Sequence, residues 1–174
     1  RDGGSCVVRL VNSGVGEGDE WDEQFDGMSE GWRLFMENLR LHLTHFRGRR
    51  ARAVIPTRMT AGPNEEAWER LCGALGLPAD ASPGDLVSTA GDDVPRLAGR
   101  VATVSRRPAV RAHHLLLDEP NPGTAFITVE GAGDQVAASA YLYLYGEVDP
   151  ELPQAWEALL DRHFGPADAP PAGA

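Results

Sequence analysis

Apolar residues recur every three or four positions over residues 20–46, which predicts a short acidic loop followed by one long amphipathic helix. Charged residues such as Arg33, Glu37 and Arg40 interrupt the apolar ones and predict a solvent-facing side. The predicted apolar stripe consists of Met28, Trp32, Phe35, Met36, Leu39, Leu43 and Phe46. A stripe this wide needs a large surface to bury it, and a β-sheet is the partner that we expect.

The other segments of the chain have strand and helix patterns. Helical spacing predicts helices over residues 64–75 and 150–164. Short turns rich in Gly and Pro join the last three predicted strands, which indicates an antiparallel meander. The predicted strands are residues 5–11, 51–59 with a bend at Pro56, 85–90, 99–105, 110–118, 124–131 and 136–146.

This order of elements predicts an α+β fold with two unequal parts. Residues 49–165 contain enough strands and helices for one near-complete domain, in which a curved antiparallel sheet packs on a C-terminal helix. Residues 1–48 contain one strand and one long helix, as in the C-terminal half of a first domain whose front half is absent from the sequence. Residues 166–174 have too few apolar groups to fold and are expected to form a flexible tail.

Composition restricts the possible partners. The net charge of −10 argues against binding to nucleic acid or to anionic membranes. The sequence has neither a signal peptide nor an apolar run long enough to cross a membrane. Cys6 and Cys72 are expected to be buried thiols, which indicates a reducing, cytoplasmic location.

The segment WDEQFDGMSEGWRLFMENLRLHL, with RDGGSCVVRLVNSG before it, resembles the C-terminal half of bacterial helix-grip proteins of the SRPBCC superfamily (START/polyketide-cyclase type). It is most similar to the branch that contains the C-terminal domain of the activator of the heat-shock-protein-ninety ATPase. The resemblance rests on an SG turn after a strand, an acidic segment with Trp21, and the pairs Gly31-Trp32 and Asn38-Leu39. It covers about the first 47 residues and implies a curved sheet that grips a long helix, with an apolar cavity between them.

Two groups of residues are candidates for chemistry. His113 and His114 are adjacent in a predicted strand, so one of them faces the expected cavity as a polar anchor, a general base or a satisfied core histidine. Tyr141, Tyr143 and Tyr145 share one face of the last strand, where they suit either a ligand wall or ordinary sheet packing.

The neighbouring residues argue against two other possible sites. His42 and His45 lie three residues apart on the helix but have no further ligands nearby in the sequence, so no metal site is expected. The loop over residues 14–18 is rich in glycine, but the acidic residues that follow it would repel a phosphate. The sequence contains no known catalytic motif, and no cofactor is expected.

The sequence therefore predicts a protein that binds a small hydrophobic molecule without catalysis. The alternatives are an enzyme similar to polyketide cyclases and aromatases, or an ATPase activator similar to co-chaperones. A homodimer contact, or packing between the two parts of the chain, is a further possibility. The candidate cavity residues are Trp32, Phe35, Met36, His114, Phe126, Tyr141 and Tyr143.

Overall fold

The structure is a computed structural model that describes residues 7–11, 19–131 and 133–165, with the backbone alone at residues 19–30. The helices of this part of the chain are α1 Asp19–His45, α2 Asn64–Leu75 and α3 Leu152–Phe164. Its strands are β1 Arg52–Val54, β2 Thr57–Ala61, β3 Leu86–Ser88, β4 Ala98–Arg107, β5 Val110–Glu119, β6 Gly123–Glu130 and β7 Gln135–Leu144.

The strands form one antiparallel sheet with the order β1-β7-β6-β5-β4-β3. β2 also pairs with β7, because β1 and β2 are two halves of one edge segment that Pro56 interrupts. Short turns connect β4 through β7, as the meander pattern predicted. The predicted fold class, α+β with a curved antiparallel sheet and a C-terminal helix, is confirmed.

The main core lies between one face of this sheet and the helices α2 and α3. Alternate residues of β5, β6 and β7, such as Leu115, Ile127 and Leu142, point toward the helices and are completely buried. They pack against Leu71 of α2 and Trp156 of α3, among other residues of the same cluster. This face of the sheet is therefore filled by aliphatic and tryptophan side chains.

The first turn of α2 has no side-chain cap. Pro63 holds the cap position, and Asn64 begins the helix. The Asn64 amide donates hydrogen bonds to the carbonyl oxygens of Val129 and Gly131, at 3.1 and 3.0 Å. These bonds attach α2 to the end of β6.

Several predictions about the ends of the chain differ from the structure or fall outside the residues that it describes. The acidic segment from Asp19 is already helical, where the pattern predicted a loop. The described part of the predicted first strand, residues 7–11, is not in a strand. Cys6 and residues 166–174 lie outside the described residues, and the division of the chain at residue 48 stays a prediction.

Cys72 is buried as predicted. No helix in the described ranges is both long and apolar enough to span a membrane.

Candidate functional site

Helix α1 crosses the face of the sheet opposite to α2 and α3. Among the side chains of α1 that the structure describes, the buried apolar ones are Leu34 and Leu41, and Phe46 just after the helix is also buried. Leu34 packs in a second cluster with Val110, Ala112 and Phe126, and the Phe46 ring stacks on Tyr145 at 4.2 Å. The sheet therefore has one small core under α1 in addition to the main core.

The predicted apolar stripe of α1 is wrong about Trp32 and Leu43, whereas Phe46 at its end is buried as predicted. Trp32 and Leu43 are 40% and 44% exposed, whereas Leu34 and Leu41, outside the predicted stripe, are 8% and 3% exposed. The reason is Asn38, which lies between the two leucines on the sheet-facing side and accepts a hydrogen bond from the buried Thr124 hydroxyl. A polar residue satisfied in this way is compatible with burial, but it breaks the apolar spacing.

Aromatic rings fill most of the space between α1 and strands β6 and β7. The Phe126 ring is completely buried at the centre. It stacks on Tyr141 at 4.4 Å and meets Phe35 edge-on at 5.4 Å, with Tyr143 at 6.1 Å. We call these four residues, Phe35, Phe126, Tyr141 and Tyr143, the aromatic cluster. They pack against each other as in an ordinary core.

A cavity of about 250 Å³ remains beside this cluster, between α1 and strands β4 and β5. Its lining mixes apolar and polar side chains, with hydroxyl, guanidinium, carboxylate and imidazole groups among the polar ones. The described lining residues are Arg33, Leu34, Glu37, Thr103, Val104, Ser105, Arg107, Ala112 and His114.

The seven predicted cavity residues have different positions around α1. His114 lines the cavity, and its ring also meets Phe126 at 5.1 Å. Phe35, Phe126, Tyr141 and Tyr143 form the aromatic cluster. Trp32 and Met36 lie on the outer side of α1, where Trp32 meets the edge of Phe35 at 6.1 Å. A role for these residues in ligand binding stays a prediction.

His114 is the most unusual group of the cavity. Its side chain is 1% exposed, and neither ring nitrogen has a hydrogen-bond partner in the described part of the chain. Burial lowers the pKa of His114 to about 4; Glu37 opposes this shift and Arg40 adds to it. At neutral pH the ring is therefore uncharged and offers one donor and one acceptor.

The carboxylate that lines the same cavity as this histidine, Glu37, is already bound. Arg40 donates to both oxygens of Glu37, from Nε at 2.8 Å and from Nη2 at 2.5 Å. Because neither ring nitrogen of His114 has a hydrogen-bond partner among the described residues, Glu37 does not orient this ring as it would orient a general base, although it lines the same cavity. The Ser105 hydroxyl donates to the carbonyl oxygen of Val110 at 2.9 Å, so it faces the cavity as an acceptor.

Sequence reasoning missed Glu130, which lies on the same face of the sheet as Phe126. Burial raises the pKa of this carboxyl, and a hydrogen bond from Tyr141 opposes the shift. Strand alternation from Phe126 through Thr128 would have placed Glu130 on this face.

The remaining histidines have structural contacts. His113 faces the main core, where its ring meets the edge of Trp68 at 4.7 Å and burial lowers its pKa. His42 forms a 2.6 Å hydrogen bond with the Tyr145 hydroxyl. The described residues contain no group of three or more His, Cys, Asp or Glu that could hold a metal ion.

Comparisons with known proteins find solved structures that resemble this chain only weakly. No family model matches the chain, and no curated protein matches it. Solved structures that resemble it include DynU16, from the dynemicin biosynthetic locus, with 14% identity and a TM-score of 0.43 over 61% of this chain and 42% of DynU16. An uncharacterized protein from Bacillus thuringiensis has 16% identity and a TM-score of 0.38, over 64% of this chain and 93% of that protein.

The Zhui aromatase/cyclase from Streptomyces sp. R1128 has 17% identity and a TM-score of 0.29, over 65% of this chain and 86% of that enzyme. This chain spans less than half the length of DynU16. At these similarities the three structures do not identify a family or an activity for this chain, and the ATPase-activator branch stays a prediction.

Proposed function

We propose that this chain binds a small molecule with an apolar body in the cavity between α1 and strands β4 and β5, and that it catalyses no reaction. The observation that carries the proposal is the buried His114 ring, which lines this cavity with both nitrogens unpaired. An unsatisfied buried polar group costs about 1–3 kcal/mol, and a ligand that hydrogen-bonds to it removes that cost.

The lining supports a ligand that is apolar with few polar atoms. Leu34 and Ala112 provide an apolar wall, while His114 and the Thr103 hydroxyl provide hydrogen-bonding groups. A cavity of about 250 Å³ is slightly below the usual range of ligand pockets, about 300–1,000 Å³. The ligand is therefore compact, with a hydroxyl or carbonyl group that meets the imidazole.

The same cavity supports a second candidate function less well. An enzyme similar to cyclases or aromatases would use His114 as a base, and the presence of Glu37 in the lining favours this role. However, Arg40 occupies both oxygens of Glu37, and the lowered pKa makes His114 a weak base. We therefore favour binding over catalysis.

A thermal-shift experiment with simple probes tests the proposal. Phenol and benzyl alcohol present a ring and a hydroxyl group, whereas toluene presents the ring alone. At ten times its dissociation constant, a probe that binds the native state raises the melting temperature by about 3–5 °C. We expect the two hydroxyl probes to produce this rise at lower concentrations than toluene.

A variant that fills the cavity provides the control. Ala112→Leu adds three carbons to a buried residue of the lining and should abolish the shift. Ala137→Leu makes the same change on β7, on the same face of the sheet but outside the lining, and should keep it. An equal shift in wild type and Ala112→Leu would show that the probes bind elsewhere.

A further inference from the structure

The cavity between α1 and strands β4 and β5 has a buried end and an exposed end. At the buried end the side chains of Leu34, Ala112 and His114 are each at most 8% exposed. At the other end lie Arg33 and Arg107, which are exposed and belong to the same lining. We call this end the mouth of the cavity. A molecule inside therefore meets an apolar wall and an uncharged imidazole at one end and two guanidinium groups at the other.

The register of β4 accounts for this order. Thr103 pairs with His114, whereas Arg107 pairs with Val110 beside the turn that joins β4 to β5. Thr103 and Arg107 are four residues apart, an even number, so both face α1. At about 3.4 Å per residue their Cα atoms lie about 14 Å apart along the strand. A compact molecule beside His114 therefore meets the arginines only through a group that extends toward the mouth.

The charges at the mouth favour an anion. The described lining contains two arginines but a single carboxylate, Glu37. Arg40 donates to both oxygens of Glu37, which offsets its negative charge. Arg33 and Arg107 each interact with other groups of the protein as well. A guanidinium group has five N–H donors, so it binds a carboxylate while it keeps another contact.

We propose, on the basis of the binding function above, that the ligand of this cavity is a compact carboxylic acid. Its apolar body and a hydroxyl or carbonyl group lie beside His114, and its carboxylate lies between Arg33 and Arg107. The two guanidinium groups approach the carboxylate from α1 and from β4, so the bound acid links the helix to the sheet. A neutral molecule of the same shape lacks these charge-assisted hydrogen bonds and binds more weakly.

Calorimetric titration with two molecules of one shape tests this proposal. 4-Hydroxyphenylacetate carries a carboxylate, and 4-hydroxyphenylacetamide carries a neutral amide in its place. We expect the acid to bind wild type about tenfold more tightly than the amide at low salt. The ratio should fall toward one in about 1 M salt, because the mouth is exposed and salt screens its charges. A ratio of one at low salt, or a ratio that salt does not change, contradicts the proposal.

Phenol, titrated in parallel, separates this proposal from the binding function on which it rests. Phenol has the ring and the hydroxyl group but nothing that extends to the mouth. If phenol binds and the acid binds no more tightly than the amide, the ligand class is wrong and the binding function stands. If none of the three molecules binds, the binding function itself is wrong.

Substitutions at the mouth assign the effect to its two arginines. Arg33→Gln combined with Arg107→Gln removes both charges, so the ratio of amide to acid dissociation constants should fall to about one. Arg47→Gln combined with Arg50→Gln removes two charges from exposed sites outside the lining and should keep the ratio near ten. A tenfold ratio in the mouth variant overturns the proposal. The salt series on wild type needs no substitution, so it decides the question if the mouth variant does not fold.

Discussion

Replacing Phe126 by alanine should lower the free energy of unfolding by about 3–5 kcal/mol. The Phe126 ring is completely buried and contacts rings from α1, β5 and β7. Its removal leaves a void between α1 and the sheet and weakens the attachment of the helix. The loss is measured by urea denaturation of the variant and wild type at neutral pH.

Phe35→Ala is the matched control for this change. Phe35 belongs to the same aromatic cluster but is 36% exposed, so its replacement removes less buried surface. We expect it to cost about 1 kcal/mol, within the usual range for a point substitution. Equal losses for the two variants would show that Phe126 is not the centre of the packing under α1.

Acidification from pH 7 to pH 4 should remove stability that depends on the uncharged His114 ring. The folded state holds the pKa of His114 at about 4, below its ordinary value of 6.5, so the unfolded chain takes up the proton first as the pH falls. The contribution of His114 is therefore intact above about pH 6.5 and decreases as the pH approaches 4. A shift of this size corresponds to a loss on the order of 3 kcal/mol.

Other groups also titrate between pH 7 and pH 4, so a variant is needed to isolate the contribution of His114. Burial lowers the pKa of His113 and adds to the loss, whereas the raised pKa of Glu130 acts in the opposite direction. His114→Phe removes one contribution and leaves the others. In urea denaturation at pH 4.5, 5.5, 6.5 and 7.5, wild type should lose more stability than the variant. Parallel curves for the two proteins would contradict a buried, uncharged His114.

Much of the fold follows from local patterns in the sequence. The helical spacing gave α2 with its observed ends, and strand alternation gave Tyr141 and Tyr143 a common face of β7, opposite to Leu142 in the main core. Both patterns succeed because each residue of these elements has one environment, either buried or exposed. Pro56 likewise bends the edge segment where proline cannot donate to the ladder.

The side of α1 that meets the sheet could not be predicted in the same way. Leu34 and Leu41 are buried with Asn38 between them. A polar residue at that position makes the sheet-facing side look less apolar than the opposite side of the helix. The partner of Asn38 is Thr124, 86 residues away, so its hydrogen bond depends on tertiary structure that local spacing does not contain.

Local sequence patterns also could not predict the position of the cavity. The resemblance implied a cavity between the sheet and a long helix, and among the seven candidate residues His114 is the one that lines the cavity beside α1, β4 and β5. The pairing of β4 with β5 shifts register between Val101 and Thr103, so these two residues face opposite sides of the sheet although they are two apart. This bulge directs Thr103 toward the cavity while Val101 remains in the main core. Simple alternation would have placed both on one side.

The most direct test of the proposed binding function is a crystal structure of the protein with phenol bound. The account predicts phenol in the cavity between α1, β4 and β5, with its oxygen within about 2.6–3.2 Å of a ring nitrogen of His114. Ala112→Leu crystals grown under the same conditions should lack phenol at this position. Phenol bound only at another surface of wild type, with the cavity unoccupied, would contradict the account.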